Sequence, residues 1–317
     1  HAALNGRGAV FVATDPSSLV QHLTAIIQSV AARTQSSTSE SVSTSILNQG
    51  TFGYTGGYDS GSWAGYLYKL ALDGTTAIAT AADWDAGCIL TGGTFTPIAP
   101  TSEAPPRGDC KVTTPPPSIS TTPAIPQRTI FTSITCGTKC LVGKPFRWNN
   151  LGGTEQGFLN LDPTTTDVDG STGQVITTAT STAPATNDGK GTDRVAYLRG
   201  ERENETTPTS KTLARQFRIR KSLLGPVINS QTVYVGAPNS GIQDIYPVGS
   251  AEQAAAAPCT AGLTATGCNS YEKFVKTNIG RTPLIYVGAN DGMLHAFDAG
   301  SSSTTGGTEV WAYVPNM

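Results

Sequence analysis

Residues 281–313 limit most tightly what this chain can become. They read Arg-Thr-Pro-Leu-Ile-Tyr-Val-Gly-Ala-Asn-Asp-Gly-Met-Leu-His-Ala-Phe-Asp-Ala, then a Ser/Thr/Gly run, then Thr-Glu-Val-Trp-Ala-Tyr. Leu284, Ile285, Tyr286 and Val287 make an apolar, β-branched strand that Gly288 closes. Asn290-Asp291-Gly292 supplies residues that tolerate the positive φ of a tight hairpin turn. The return strand spans residues 293–298, with Leu294 and Ala296 on one face and Met293, His295 and Phe297 on the other. Thr305-Gly306-Gly307 turns the chain again, and Val310, Trp311, Ala312 and Tyr313 form a third strand. Three short strands and two tight turns make most of one propeller blade.

The length of 317 residues suits one large β domain or two domains. Charged residues are only 14%, while Gly, Ser and Thr abound, which fits a secreted, loop-rich β protein better than a cytosolic enzyme. A formal net charge of -2 gives no electrostatic reason to expect nucleic acid or an anionic membrane as partner. No apolar run approaches the roughly 20 residues that span a bilayer. The chain opens on His1 rather than Met, shows no signal peptide, and stops at Met317 just after a strand. The expectation is a piece of a longer protein.

The six cysteines fall as sequence neighbours: Cys88 with Cys110, Cys136 with Cys140, Cys259 with Cys268. Local disulfides would close loops too polar to pack a core of their own, each worth about 2.5 kcal/mol for a ten-residue loop. A zinc site is the alternative, but four ligands in compact spacing are not present. Connectivity stays open at this point.

Taken in order, residues 8–13 read as a short strand. Asp15-Pro16 then opens a helix, and Leu19, Leu23, Ile26, Ile27 and Val30 form its apolar stripe. Residues 35–48 are a Ser/Thr-rich linker or weak strand. Residues 52–72 alternate aromatics with small residues through Trp63-Ala64-Gly65-Tyr66-Leu67-Tyr68. Asp73-Gly74 is a hairpin turn, and the strand that returns from it leads into Trp84-Asp85-Ala86-Gly87, so this region looks like an early blade. Residues 91–127 are rich in Pro, Thr and Ser and cannot supply central strands, because proline donates no ladder hydrogen bond. A strand follows at residues 128–134. Residues 163–193 form a second polar insertion, and the Ala-rich residues 249–270 form a third.

Few constellations carry chemistry. Asp167 and Asp169, in Asp-Val-Asp-Gly, start a calcium-loop pattern, but Ser171, Thr172, Gly173 and Gln174 add no closing carboxylate; a solvated acidic turn is the plainer reading. Arg107-Gly108-Asp109 sits beside Cys110, and an exposed, disulfide-held Arg-Gly-Asp can bind integrins by completing a metal ion with its carboxylate. No Ser-His-Asp arrangement is legible: His22 lies on the apolar helix and His295 within the blade. Arg199-Gly200-Glu201-Arg202 reads as a solvated charged turn.

The blade at 284–313 resembles those of quinoprotein-type β-propellers. Phe217-Arg218-Ile219-Arg220-Lys221-Ser222-Leu223-Leu224-Gly225-Pro226-Val227-Ile228-Asn229-Ser230 runs into Thr232-Val233-Tyr234-Val235-Gly236. With Tyr197-Leu198-Arg199-Gly200 and Tyr271-Glu272-Lys273-Phe274-Val275, this resembles the propeller domain of the PilY-type family, departing from it at Pro226, where the family usually carries an acidic residue. That resemblance implies a mainly β fold: an incomplete quinoprotein-like β-propeller over residues 35–317, with surface insertions at about 91–127, 163–193 and 249–270. Residues 1–34 would end a preceding von Willebrand A-like domain. It implies a type IV pilus tip adhesin and assembly factor, extracellular or outer-membrane associated. Its partners would be minor pilins and a host-cell or abiotic surface. Some members use an Arg-Gly-Asp tripeptide. The family's calcium loop would lie beyond this region, so calcium is expected for a full-length protein and no cofactor for this stretch. The alternative class is a quinoprotein (PQQ-dependent) oxidoreductase, but no adjacent cysteine pair and no cofactor site is legible here, and no enzymatic activity is expected.

Overall fold

The computed structural model describes residues 35–37, 41–42, 52–72, 79–98, 107–112, 128–135, 141–161, 187–202, 204–206, 217–238, 241, 243–301 and 305–315. The strand and helix expected at 8–33, the Asp73-Gly74 turn, His22, Cys136, Cys140, Asp167 and Asp169 lie outside them. The described residues are mainly β.

The first sheet holds β1 (Gln35–Ser37), β2 (Ser41–Val42), β3 (Phe52–Asp59), β4 (Ala64–Leu72) and β5 (Ala79–Asp85). The order is β1-β3-β4-β5, all antiparallel, with β2 also pairing β3. The aromatic run around Trp63 does form a meander, and residues 35–48 contribute two weak strands to it. Nearly every residue of β4 is buried, because both faces of the sheet are covered. Leu67 joins Tyr54 and Trp84 on one face. Tyr66, Tyr68, Leu70 and Leu72 lie on the other, with Phe95 against them. Lys69 is buried too: its Nζ donates to the Gly300 carbonyl at 2.9 Å, pairs with Asp83 at 3.3 Å and sits over the Phe52 ring.

A short helix, α1 (Ala86–Leu90), follows β5 directly. Asp85 caps it by accepting from the Gly87 N–H. The Pro/Thr-rich insertion then supplies an outlying hairpin, β6 (Thr94–Ile98) with β7 (Arg107–Lys111), that belongs to neither large sheet. Cys88 is bonded to Cys110, fastening the hairpin to α1. β8 (Ile130–Thr135) and β9 (Leu141–Pro145) come next, then α2 (Gly153–Leu159), α3 (Gly191–Leu198), and the two-residue strands β10 (Glu205–Thr206) and β11 (Phe217–Arg218). β12 (Val233–Val235), α4 (Ala251–Ala256) and α5 (Tyr271–Asn278) lead to β13 (Leu284–Ala289), β14 (Met293–Asp298) and β15 (Glu309–Val314). The Ala-rich insertion is thus partly helical, and the Cys259–Cys268 disulfide closes it.

The second sheet runs β12-β13-β14-β15-β8-β9. Its β13-β14-β15 meander is the one read from the sequence, with Gly292 at φ 84° in the first turn. Its β8-β9 half is added by a parallel pairing of β15 with β8 that joins residues far apart in sequence. One face is buried over most of its area, opening only toward β9. Ile285, Val287 and Phe297 pack on the first sheet, and Met293, Ala312, Val314 and Ile130 pack with Leu159 of α2 and Val195 of α3. Each such large apolar side chain, fully buried, stabilises the fold by about 1.5–3 kcal/mol. Register places Val233, Tyr286, Leu294, Trp311, Tyr313 and Phe131 on the opposite face. That face is only partly covered: Val233 is 50% exposed and Phe131 43%.

Residues 222–230 thread between the two sheets without joining either as a strand. Leu223, Leu224 and Val227 sit in the core shared by Tyr54, Trp84, Ile285 and Phe297. Backbone bonds hold the thread on both sides: Gly65 N–H to the Leu224 carbonyl at 3.1 Å, and Asn290 N–H to the Pro226 carbonyl at 2.9 Å. The approach at Gly65 is so close that a Cβ there would lie 1.9 Å from the Gly225 oxygen.

Candidate interaction site

The turn after β13 brings together a buried chain of four charged groups. Asp291 sits in the hairpin turn, His295 on β14, Glu309 at the start of β15 and Arg128 just before β8, so the local meander meets one residue from a segment distant in sequence. Arg128 makes a two-pronged bond to Glu309, Nε to Oε2 at 2.6 Å and Nη2 to Oε1 at 2.8 Å. Glu309 Oε1 lies 2.8 Å from His295 Nδ1, and both Asp291 oxygens lie 3.1 Å from His295 Nε2. Asp291 also accepts from the Gly225 and Met293 N–H groups, which ties the chain to the inter-sheet thread.

His295 has no exposed surface. Burial opposes its charge, but Asp291 and Glu309 outweigh that and lift its pKa to about 9. Glu309 feels the converse: burial pushes it up, while Arg128 and His295 prevail and hold it near 2. The chain alternates cation and anion, which offsets the cost of desolvating each member. With both ring nitrogens occupied by carboxylates and no opening to solvent, His295 serves as a cross-brace and offers no nitrogen to a substrate.

The Arg199-Gly200-Glu201-Arg202 stretch is not a solvated turn. Arg199 donates to the Phe146 and Arg128 carbonyls at 3.0 and 3.1 Å. Arg202 and Arg220 both pair with the buried Glu205 carboxylate, at 3.1 and 2.7 Å. Arg202 also donates to the Arg220 carbonyl. The Arg220 guanidinium lies 3.6 Å over the Tyr197 ring. Gly200 takes φ 104°, a conformation that side chains rarely adopt. The stretch looked solvated in sequence because its partners, Glu205 and three carbonyls, lie outside it.

Arg107-Gly108-Asp109 lies in strand β7, not at a loop tip. Gly108 pairs with Pro97 and Asp109 with Thr96. A Cβ at Gly108 would meet the Phe95 ring at 1.9 Å, so only glycine fits under that aromatic. Asp109 itself is exposed, next to the disulfide. Gly108 and Asp109 therefore sit in an extended strand that the disulfide ties to α1.

An open groove of about 570 Å³ lies between residues 244–246 and the first part of the third insertion, lined by Asp244, Ile245, Tyr246, Ser250 and Gln253 among others. Its one carboxylate is engaged: Asp244 accepts from the Tyr271 and Glu272 N–H groups at the start of α5 and from the Tyr246 hydroxyl. No cluster of three metal-ligating side chains occurs among the described residues, and none of their helices is long and apolar enough to cross a membrane.

No protein-family profile matches the chain, and no solved structure matches it significantly. Curated proteins do. The type IV pilus biogenesis factor PilY1 of Pseudomonas aeruginosa strain PAO1 is 29% identical over 328 aligned residues, covering 100% of this chain and 21% of that protein. PilY1 of strain UCBPP-PA14 is 26% identical, over 99% of this chain and 21% of its own length. A PilY1 homologue of Xylella fastidiosa is 36% identical over 54% of this chain and 11% of its own length. The chain thus spans about a fifth of the length of the Pseudomonas proteins. Similarity to the Pseudomonas PilY1 proteins runs through the whole of the chain, and similarity to the Xylella homologue through about half of it.

Proposed function

We propose that the chain is part of a type IV pilus biogenesis factor that works by binding, as a tip adhesin and assembly factor outside the cell. The observation that carries this reading is the similarity to PilY1 over the full chain. Two features support it. The disulfide-anchored strand that exposes Asp109 suits a contact element. The one histidine among the described residues with a strongly shifted pKa is sealed between carboxylates, where it braces the fold. On this reading the two sheets are early blades of a quinoprotein-like propeller. The half-exposed face carrying Tyr286, Trp311, Tyr313 and Phe131 would receive a further sheet, since apolar sheet faces pair with one another. A von Willebrand A-like domain would precede, and calcium would bind elsewhere in the longer protein. The partners are minor pilins, which could add a strand at a sheet edge such as β9, the last strand of its sheet among the described residues.

The test is co-purification of minor pilins with the full-length protein, with and without residues 1–317. Retention that depends on these residues is expected; equal retention without them contradicts the reading. A bound quinone, seen by its absorbance in the purified full-length protein, would point instead to an oxidoreductase.

A further inference from the structure

The β3–β4 turn holds an aromatic side chain where few chains place one. Trp63 has φ 56°, in the left-handed region that a bulky side chain rarely adopts. The turn enforces it. Trp63 N–H donates to the Asp59 carbonyl at 2.7 Å. The Asp59 carboxylate accepts from Gly61 N–H at 2.9 Å and from the Ser62 hydroxyl at 2.7 Å. The indole is 51% exposed, yet it is fixed by stacking on Tyr58, with ring centroids 5.5 Å apart and planes at 23°. One face is therefore backed by Tyr58. Strain of this kind persists where the surroundings over-determine it, and it clusters at binding sites.

Cations border the platform. The exposed Arg218 spans from the other side of the turn, its Nη1 3.4 Å from the Ser62 carbonyl. Its own carbonyl is held by the Tyr197 hydroxyl at 3.1 Å, so its backbone is fixed too. Lys221 is exposed and close enough to help lower the Asp59 pKa, a shift led by the Ser62 hydrogen bond. Asp59 keeps its charge but accepts its hydrogen bonds within the turn, from Gly61 and Ser62.

We propose that Trp63 backed by Tyr58, with Arg218 beside it, is a shallow binding site for an acidic saccharide. The apolar face of a sugar ring lies against the indole, and a ring carboxylate meets the guanidinium, which favours carboxylates through paired N–H donors. A flat, exposed ring without a deep pocket suits repeated weak contacts along a polymer rather than one tight ligand. The site adds a ligand class to the adhesive role but stands on its own residues, so it is tested on the purified 317-residue chain, apart from any pilus assay.

The probe is tetragalacturonate, with maltotetraose as the uncharged comparison, followed by ¹⁵N NMR of the Trp63 indole resonance. The expected result is a saturable shift with a Kd on the order of 1 mM. Trp63→Ala should weaken it at least tenfold, and Arg218→Gln should erase the preference for the acidic sugar. Both side chains are exposed, and an unchanged melting temperature shows that the fold survives. An unshifted indole resonance, or equal binding by Trp63→Ala, overturns the proposal. So does a shift produced only by an acidic, aromatic peptide, which would make the platform a protein-docking patch.

Discussion

Glu309 is the residue on which the buried charge chain turns, since it alone touches both cations. Replacing it with Gln leaves Arg128 and His295 desolvated against a neutral amide. Removing one partner of a buried pair costs about 3–5 kcal/mol. The urea midpoint of Glu309→Gln should fall accordingly, and an unchanged midpoint would mean that the chain is solvated. His295 adds a pH signature. Its folded pKa of about 9 lies above its ordinary 6.5. Its stabilisation is therefore complete below about pH 6.5 and is lost as pH rises through 9. Stability of the wild type should fall over that window, and His295→Gln should flatten the fall while lowering the plateau. Asp85 works in the same sense at lower pH. Burial is the largest influence on it and raises its pKa to about 7, even though it accepts N–H bonds from Leu67 and Gly87. The folded state holds its proton where the unfolded state has released it. Stability should thus drop as pH climbs from about 4 to 7. Asp85→Asn, which keeps an acceptor for the cap, should remove that drop; an unaltered pH profile would show that Asp85 is not its source.

At the scale of elements, the inter-sheet thread and the anchored hairpin are the parts most open to test. Gly65→Ala puts a methyl group against the backbone of Gly225, which cannot swing aside as a side chain would. A loss of about 3 kcal/mol is expected, whereas Gly143→Ala, on the open strand β9 with nothing near its Cβ, should be close to neutral. Equal effects would show that the thread does not approach β4 as described. Replacing Cys88 and Cys110 together by Ser should cost about 3 kcal/mol through the freed loop, read as a lower melting temperature. The β13-β14-β15 meander was legible because its turn residues and period-two pattern are local. Helix α1 was not: five residues are too few for a helical stripe, and its cap, Asp85, reads as the end of a strand. The parallel pairing of β15 with β8 leaves no local mark at all. Glu205 escaped notice because a single buried carboxylate looks like any other until Arg202 and Arg220 converge on it.

For the whole molecule, two sheets share one core, a thread passes between them, and one broad sheet face stays half open. That face is a row of alternate residues in strands whose other row is buried, so its apolar character was written in the sequence, while its exposure depends on what packs beside it. The same holds for function. The Arg-Gly-Asp tripeptide and the aromatic turn at Trp63 were visible as residues, but their presentation on an anchored strand and on a stacked platform arises only from folding. The central claim is that this region serves a type IV pilus biogenesis factor. It is tested most directly by counting surface pili in bacteria that lack the full-length protein and are complemented either with it or with a version missing residues 1–317. The account predicts pili restored by the first and absent with the second, both proteins being exported equally. Normal piliation by the shortened version would contradict it.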